Sequence, residues 1–349
     1  MKKTDIKSLD YQQLTGLVEQ LGEKKFRAKQ LYQWIHQKLA VSFDEMTNLS
    51  KGFRDTLQSQ CTLGGTHIVQ EQISAIDGTR KYLMELGDGQ HVESVLMKYK
   101  HGNSVCVSSQ VGCRMGCRFC ASTVGGLTRS LETSEILDQI YEIQRTTGER
   151  VSNVIIMGIG EPLDNYDNVI RFIRMLTDEH GLNISQRNVT LSTCGLVPKI
   201  YDLMEEDLTI TLAISLHAPE DSLRRSMMPV AQKYSIAEIM EACRAYVQKT
   251  GRRVTFEYTM VEGVNDTPAH AEMLSRLLRG MLCHVNLIPL NHVEGRMGTR
   301  SHGANIQEFK VLLEKNHINV TIRREMGSDI DGACGQLRKS YMEKTESEK

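Results

Sequence analysis

The 349-residue chain has no uninterrupted apolar run approaching the ~18 residues that a membrane-spanning helix needs, so membrane insertion is not expected. It has no excess of charge either. Its 42 Lys and Arg against 43 Asp and Glu leave a formal net of −1, which excludes a globally basic nucleic-acid binder and confines any RNA contact to a local patch. No apolar stretch follows the two lysines of the opening MKKTDIKSLDYQQ, so no secretory signal is read there and a cytoplasmic, reducing setting is expected. Tandem repeats and low-complexity segments are missing too, so neither an array nor a linker-rich protein is expected. What is present is ample apolar material. At 40% hydrophobic residues the chain is too apolar for disorder, and its length favours a main domain of roughly 200–250 residues with a smaller one beside it.

The nine cysteines are odd in number, which argues against a disulfide framework in a chain with no export signal. Four of them, Cys106, Cys113, Cys117 and Cys120, fall within fifteen residues. Clustered thiols in a reducing compartment usually mean metal or redox chemistry.

Residues 1–60 read as helical, with an amphipathic segment over 11–21 and a second helix near 26–38 whose apolar stripe is Phe26, Leu31, Trp34 and Ile35. This region carries 10 basic and 7 acidic residues, a net of +3. That charge suits a solvated helix face or an RNA-contacting module. Three strands at 66–72, 80–86 and 90–98 follow, separated by the turn signals Asp77-Gly78 and Asp88-Gly89, and they predict a small β-meander with Glu93 on its last strand.

From about residue 104 the pattern becomes strand, loop, helix, repeated six times, with strands near 104–109, 153–157, 188–192, 209–215, 253–258 and 284–288. A seventh strand is expected at 319–323 and a frayed charged tail from Lys339. Thr133 or Ser134 is expected to cap the first of the intervening helices. This alternation predicts a parallel sheet with helices outside, open or closed. Active sites of such sheets are built by the loops at the C-terminal strand ends. Those loops therefore locate the chemistry before any motif is named.

The first loop reads Gly112-Cys113-Arg114-Met115-Gly116-Cys117-Arg118-Phe119-Cys120, a C-x3-C-x2-C spacing with no fourth thiol nearby. Zinc ordinarily takes four ligands, in C-x2-C pairs or with His in reach. A four-iron cluster held by three cysteines keeps one iron open for a small molecule. A zinc site, unrelated free thiols and an electron-transfer cluster with a distant fourth Cys remain the alternatives at this point.

The second loop, Met157-Gly158-Ile159-Gly160-Glu161-Pro162-Leu163, lacks the third glycine of a dinucleotide fingerprint, and its Glu161 could receive an ammonium group. Read plainly, it is a tight turn with a solvated Glu. Other strand ends supply Ser192-Thr193-Cys194-Gly195, Ser215-Leu216-His217-Ala218, and Asn291 with His292. Arg114, Arg118, Arg129, Arg224, Arg225, Arg296 and Arg300 gather in these loops and suit a polyanionic substrate, or are scattered solvated side chains. Near the C-terminus, Cys334 sits among Gly332, Ala333 and Gly335, the setting of an accessible reactive thiol or of a surface Cys without a role.

These motifs together resemble the RlmN/Cfr family of adenosine methyltransferases within the radical S-adenosylmethionine (SAM) superfamily. The resemblance rests on Cys106-Val107-Ser108-Ser109-Gln110-Val111-Gly112-Cys113, on Gly158-Ile159-Gly160-Glu161-Pro162-Leu163, on Ser215-Leu216-His217-Ala218 and on Asp329-Ile330-Asp331-Gly332-Ala333-Cys334-Gly335-Gln336-Leu337. It runs from about residue 20 to 340. Pro162 favours the RlmN branch, since Cfr proteins typically carry Ala there, and Gly332 stands where Ala is usual in both.

The resemblance implies a partial (β/α)6 radical-SAM barrel. It implies a helical accessory domain at 1–60, a β-meander at 61–100, a barrel core at 101–300 and a C-terminal extension at 301–349 that carries Cys334. It implies a [4Fe-4S] cluster on Cys113, Cys117 and Cys120, and SAM, two per turnover, bound by Gly160, Glu161, Ser192, Ser215, Leu216, His217 and Asn291. Cys334 would carry a methyl group, Cys106 would resolve the protein–RNA adduct through a transient disulfide, and Glu93 would accept a proton. The implied reaction is methylation at C2 of adenosine 2503 in 23S rRNA and, in many family members, of adenosine 37 in tRNAs, with an external electron donor; the oligomeric state is left open by the sequence, with a monomer as the working expectation. Two alternatives stay open: Cfr-type methylation at C8, and a zinc-stabilised RNA-binding module without catalysis.

Overall fold

The computed structural model describes residues 3–291 and 295–347. Ten strands form one sheet, here numbered in chain order: β1 His67–Ile73, β2 Arg80–Glu85, β3 His91–Tyr99, β4 Gly102–Val107, β5 Val151–Ile156, β6 Val189–Thr193, β7 Thr211–Ser215, β8 Val254–Met260, β9 Cys283–Pro289 and β10 Asn319–Ile322. Their order in space is their order in the chain. Strands β4 to β10 are parallel and β1 to β4 antiparallel. Because each new parallel strand is added on the same side, the strand order never reverses, and the sheet is an open, partial barrel rather than a doubly wound one.

The β-meander is therefore not a separate layer. It continues the sheet through β4, which pairs with β3 on one side and β5 on the other. Apolar β-branched residues fill the parallel strands, as expected where helices cover the sheet. The helices Thr133–Thr147, Tyr166–Thr177, Ile236–Thr250, Pro268–Leu278 and Gly303–Lys315 lie at the expected places. Val197–Met204 and Asp221–Met227 are additional short helices that the periodicity did not reveal. Thr133 and Ser134 are inside the first helix rather than capping it. The N-cap is Glu132, whose N–H is accepted by the Glu135 carboxylate at 2.9 Å.

The N-terminal helices Tyr11–Gln20, Phe26–His36 and Lys51–Gln60 share one apolar core with the sheet. The N-terminal segment docks on the helix Thr133–Thr147 through polar contacts that include two buried ones, from the turn Ile6–Ser8 and from the helix Phe26–His36. Lys7 Nζ meets Asp138 Oδ1 at 2.5 Å, and His36 Nδ1 meets the Tyr141 hydroxyl at 2.7 Å. Burial holds Asp138 up to about 6 against the pull of Lys7, and holds the His36 ring neutral. The expected frayed tail is instead the helix Gln336–Ser347, whose first turn is held by Glu93. Among the described residues no helix is long and apolar enough to cross a membrane.

Candidate active site

At the C-terminal ends of β4 to β9 lie two adjoining cavities of about 240 and 130 Å³. They share Phe119, Cys120, Met157, Ser215 and His217 as walls. Cys113, Cys117 and Cys120 line the smaller one together with Gly160, Glu161, Ser192 and Cys194. Cys106, Cys334 and Asn291 line the larger one. His292 lies outside the described residues.

The cysteine loop is held by a short hairpin that sequence patterning did not show, Gln110–Gly112 against Leu127–Ser130. Burial pushes the Cys113 thiol up to about 12 and raises those of Cys117 and Cys120, so these thiols lack a neighbouring cation strong enough to ionise them.

Glu161 is buried, and its carboxylate accepts from the N–H of Cys194 at 2.8 Å and of Leu163 at 3.1 Å. Burial raises its pKa, against those two amides and the Thr193 and Cys194 side chains. Among the described residues no Lys, Arg or His pairs with it. A buried carboxylate at a cavity wall with no cation beside it suits a cationic group on a ligand.

His217 has a backbone φ of +59° and is buried. Its Nδ1 accepts from Thr259 N at 3.0 Å, so the neutral ring carries its proton on Nε2. Burial, helped by Arg224, pushes its pKa down to about 3, so it stays neutral at physiological pH. Leu216 differs from its neighbours. Its side chain is in the apolar core, and only its backbone serves the site, with its carbonyl accepting from Arg224 Nε at 3.2 Å.

Cys106, on β4, and Cys334, on the C-terminal loop, line the same cavity and are close enough for each to shift the other's titration. The Cys334 sulfur also lies 3.4 Å from the Met157 carbonyl. The two buried thiols titrate as a coupled pair, one proton being held more tightly and the other released more readily than by a free thiol.

The loop carrying Cys334 is seated directly on the cysteine loop. Gly335 has a φ of +81°, and a Cβ there would stand 2.8 Å from Ser122 N. Gly335→Ala is expected to unseat Cys334 without loss of the fold. Cysteine-resolved alkylation would show faster labelling of Cys334, with the core Cys243 still protected. At Gly332 a Cβ would meet the Gly327 carbonyl at 2.8 Å, so this chain's loop closes more tightly than alanine permits.

The set of arginines does not form one open patch. Arg224 is fully buried and donates to the carbonyls of Leu216, Ser215 and Cys194, which makes it a brace for two site loops. Arg114 pairs with Asp164, Arg129 with Asp88 and Glu135, and Arg300 with Glu325. Arg118 and Arg225 keep exposed side chains.

Residues 4–63 match the ribosomal RNA large subunit methyltransferase N-terminal domain, and residues 107–274 match the Radical SAM superfamily. The chain is 61% identical to a probable dual-specificity RNA methyltransferase RlmN of Lachnoclostridium phytofermentans, over 99% of this chain and 97% of that one. It is 62% identical to the protein so named from Lachnospira eligens, over 97% of each. The chain belongs to the RlmN family. The crystal structure of a radical SAM methyltransferase from Sphaerobacter thermophilus superposes with a TM-score of 0.91 at 44% identity, over 95% of this chain and 98% of that one.

As an RlmN family member the protein is a radical SAM RNA methyltransferase that uses a [4Fe-4S] cluster and SAM. The residues present fit both groups. Three thiols line one cavity, as a three-cysteine cluster requires, and the unpaired buried Glu161 carboxylate shares that cavity with them. Among the described residues no group of three or more His, Cys, Asp or Glu, the three loop thiols included, already stands in metal-holding geometry.

Sequence reasoning passed over several site residues. Glu257, on β8, is a buried carboxylate at the wall of the larger cavity, hydrogen-bonded by Asn286 Nδ2 at 2.8 Å. Arg323 lines the same cavity just beyond β10. A charge inside the otherwise apolar strand Val254–Met260 was a readable signal for Glu257.

Proposed function

We propose that this RlmN-family enzyme methylates C2 of adenosine, at position 2503 of 23S rRNA and position 37 of tRNAs. C2 of adenine is electron-poor and cannot attack a sulfonium methyl directly. When bound, the cluster and SAM supply one-electron chemistry that avoids that attack. In this reading Cys113, Cys117 and Cys120 hold the cluster. Gly160, Glu161, Ser192, Ser215, Leu216, His217 and Asn291 bind SAM, with Leu216 contributing only its backbone. The neutral His217 offers an Nε2–H donor and Glu161 an acceptor for an ammonium group.

Cys334 carries the methyl carbon to the base, Cys106 resolves the adduct, and Glu93 accepts the C2 proton. The single observation that supports this most strongly is the contact between Cys106 and Cys334 beside the cavity shared with the cysteine loop. Two thiols on segments more than two hundred residues apart meet where covalent transfer and resolution both need them. Glu93 sits one residue from the carrier, its Oε2 accepting from Gly335 N at 2.7 Å. It must exchange that donor for the substrate proton.

The test is anaerobic incubation with SAM, a reductant and 23S rRNA or tRNA fragments, followed by nucleoside mass spectrometry against 2-methyl and 8-methyl standards. A 2-methyl product is expected, and an 8-methyl product alone overturns the reading. For the cluster ligands, Cys117→Ser is expected to lose most of its bound iron and sulfide after anaerobic reconstitution, measured by metal analysis. Wild-type protein that takes up zinc and no iron would instead favour the non-catalytic module.

A further inference from the structure

The inward face of the antiparallel strands carries a polar row that a packed sheet does not need. Gln72 on β1 stands opposite Lys81 on β2, which in turn stands opposite Val95 on β3. Glu93 is two residues along β3 on the same face, a diagonal neighbour of Lys81. Lys81 is fully buried and Glu93 is 4% exposed.

All three direct their polar atoms at the segment that holds Cys334. Lys81 Nζ donates to the carbonyls of Asp331 at 2.5 Å and Ala333 at 2.6 Å, and pairs with Glu93 Oε2 at 3.0 Å. An ammonium has three donors, and these contacts occupy all of them. The Glu93 carboxylate accepts from Gly335 N at 2.7 Å and Arg338 N at 2.6 Å. Gln72 makes a reciprocal pair with Asp331, donating from Nε2 at 3.0 Å and accepting from its N–H at 3.1 Å. The residues on either side of Cys334 are thus fixed by backbone atoms, one by a cation and the other by an anion.

A buried ion pair is a poor way to gain stability, since apolar side chains of similar volume do as well or better. It does fix geometry. We propose that Lys81 is a positioning residue of the reaction. Together with Glu93 it holds the Ala333 carbonyl and the Gly335 N–H, so that the Cys334 sulfur rests against Cys106 and the Met157 carbonyl. The inference rests on the reading of Cys334 as methyl carrier.

The test uses the reconstituted holoenzyme, with iodoacetamide labelling of each cysteine followed by peptide mass spectrometry. Wild type is compared with Lys81→Met and with Lys81→Met/Glu93→Gln, the second leaving no unpaired buried charge. In both, Cys334 is expected to label about tenfold faster, because the loop opens locally. Cys243 and Cys283, buried in the core, stay protected. In Lys81→Met, kcat for an rRNA fragment is expected to fall about tenfold, with KM changed by less than about twofold, since the RNA contacts are intact.

Unchanged Cys334 labelling in a folded variant overturns the proposal, as does faster labelling with kcat unchanged. Unfolding of both variants, seen as labelling of Cys243 and Cys283, also counts against it, because Lys81 is then a general structural residue. If Cys334→Ala still turns over, the carrier reading fails, while the labelling difference at Cys334 in the Lys81 variants is unaffected. The two failures are therefore separable.

Discussion

Cys334→Ala is expected to yield no detectable methylated adenosine, a loss of at least about a thousandfold, because a covalent route has no bypass once its nucleophile is gone. The variant should still fold. Cys334 lies on a half-buried loop, and removing one sulfur from it is worth roughly 1 kcal/mol. Its carbonyl and amide neighbours, Ala333 and Gly335, keep their bonds to Lys81 and Glu93. Iron content and thermal stability should therefore match wild type, which separates a chemical defect from a structural one. Normal turnover would contradict the two-cysteine scheme outright.

The second large effect is qualitative. Cys106→Ala is expected to accumulate a protein–RNA conjugate in place of product. Resolution needs a thiolate that attacks the Cys334 sulfur: an S–S bond forms, the C–S bond breaks, and the carbon leaves with the bonding pair and takes up a proton, so that the disulfide is the oxidised product and the methyl group the reduced one. Cys106 is buried on β4 and lines the same cavity as Cys334, close enough to shift its titration. No other thiol is paired with Cys334 in this way among the described residues. Cys120 is close enough to sense its charge, but that thiol belongs to the cluster loop. A denaturing gel would show an RNA-dependent shift of the protein band. Nuclease digestion and mass spectrometry would then place an adenosine on the Cys334 peptide. Product formed at the wild-type rate, with no conjugate, would remove Cys106 from the mechanism.

Much of this site could be read in the chain because its chemistry depends on short spacings. The C-x3-C-x2-C loop, the Gly160-Glu161 turn and the Ser215-to-Ala218 stretch each act as a local unit on one strand end. Period-two and period-3.6 patterns placed the sheet strands within a few residues of their observed ends. Arg224 and the tail show where this kind of reading stops. A lone arginine in a loop looks solvated, yet four backbone carbonyls draw this one inside. The charged tail looks frayed, yet Glu93 meets the open N–H groups of its first turn, where a helix otherwise lacks partners.

Local spacing and periodicity determined the cysteine loop, the βα alternation and the turn chemistry, since each depends on residues a few positions apart. Tertiary structure alone decided that the meander extends the barrel sheet, that Lys81 grips carbonyls 250 and 252 residues away, and that Cys106 meets Cys334. Contacts of that range follow from the strand order, which brings distant segments to one end of the sheet, and nothing in the neighbouring residues encodes them.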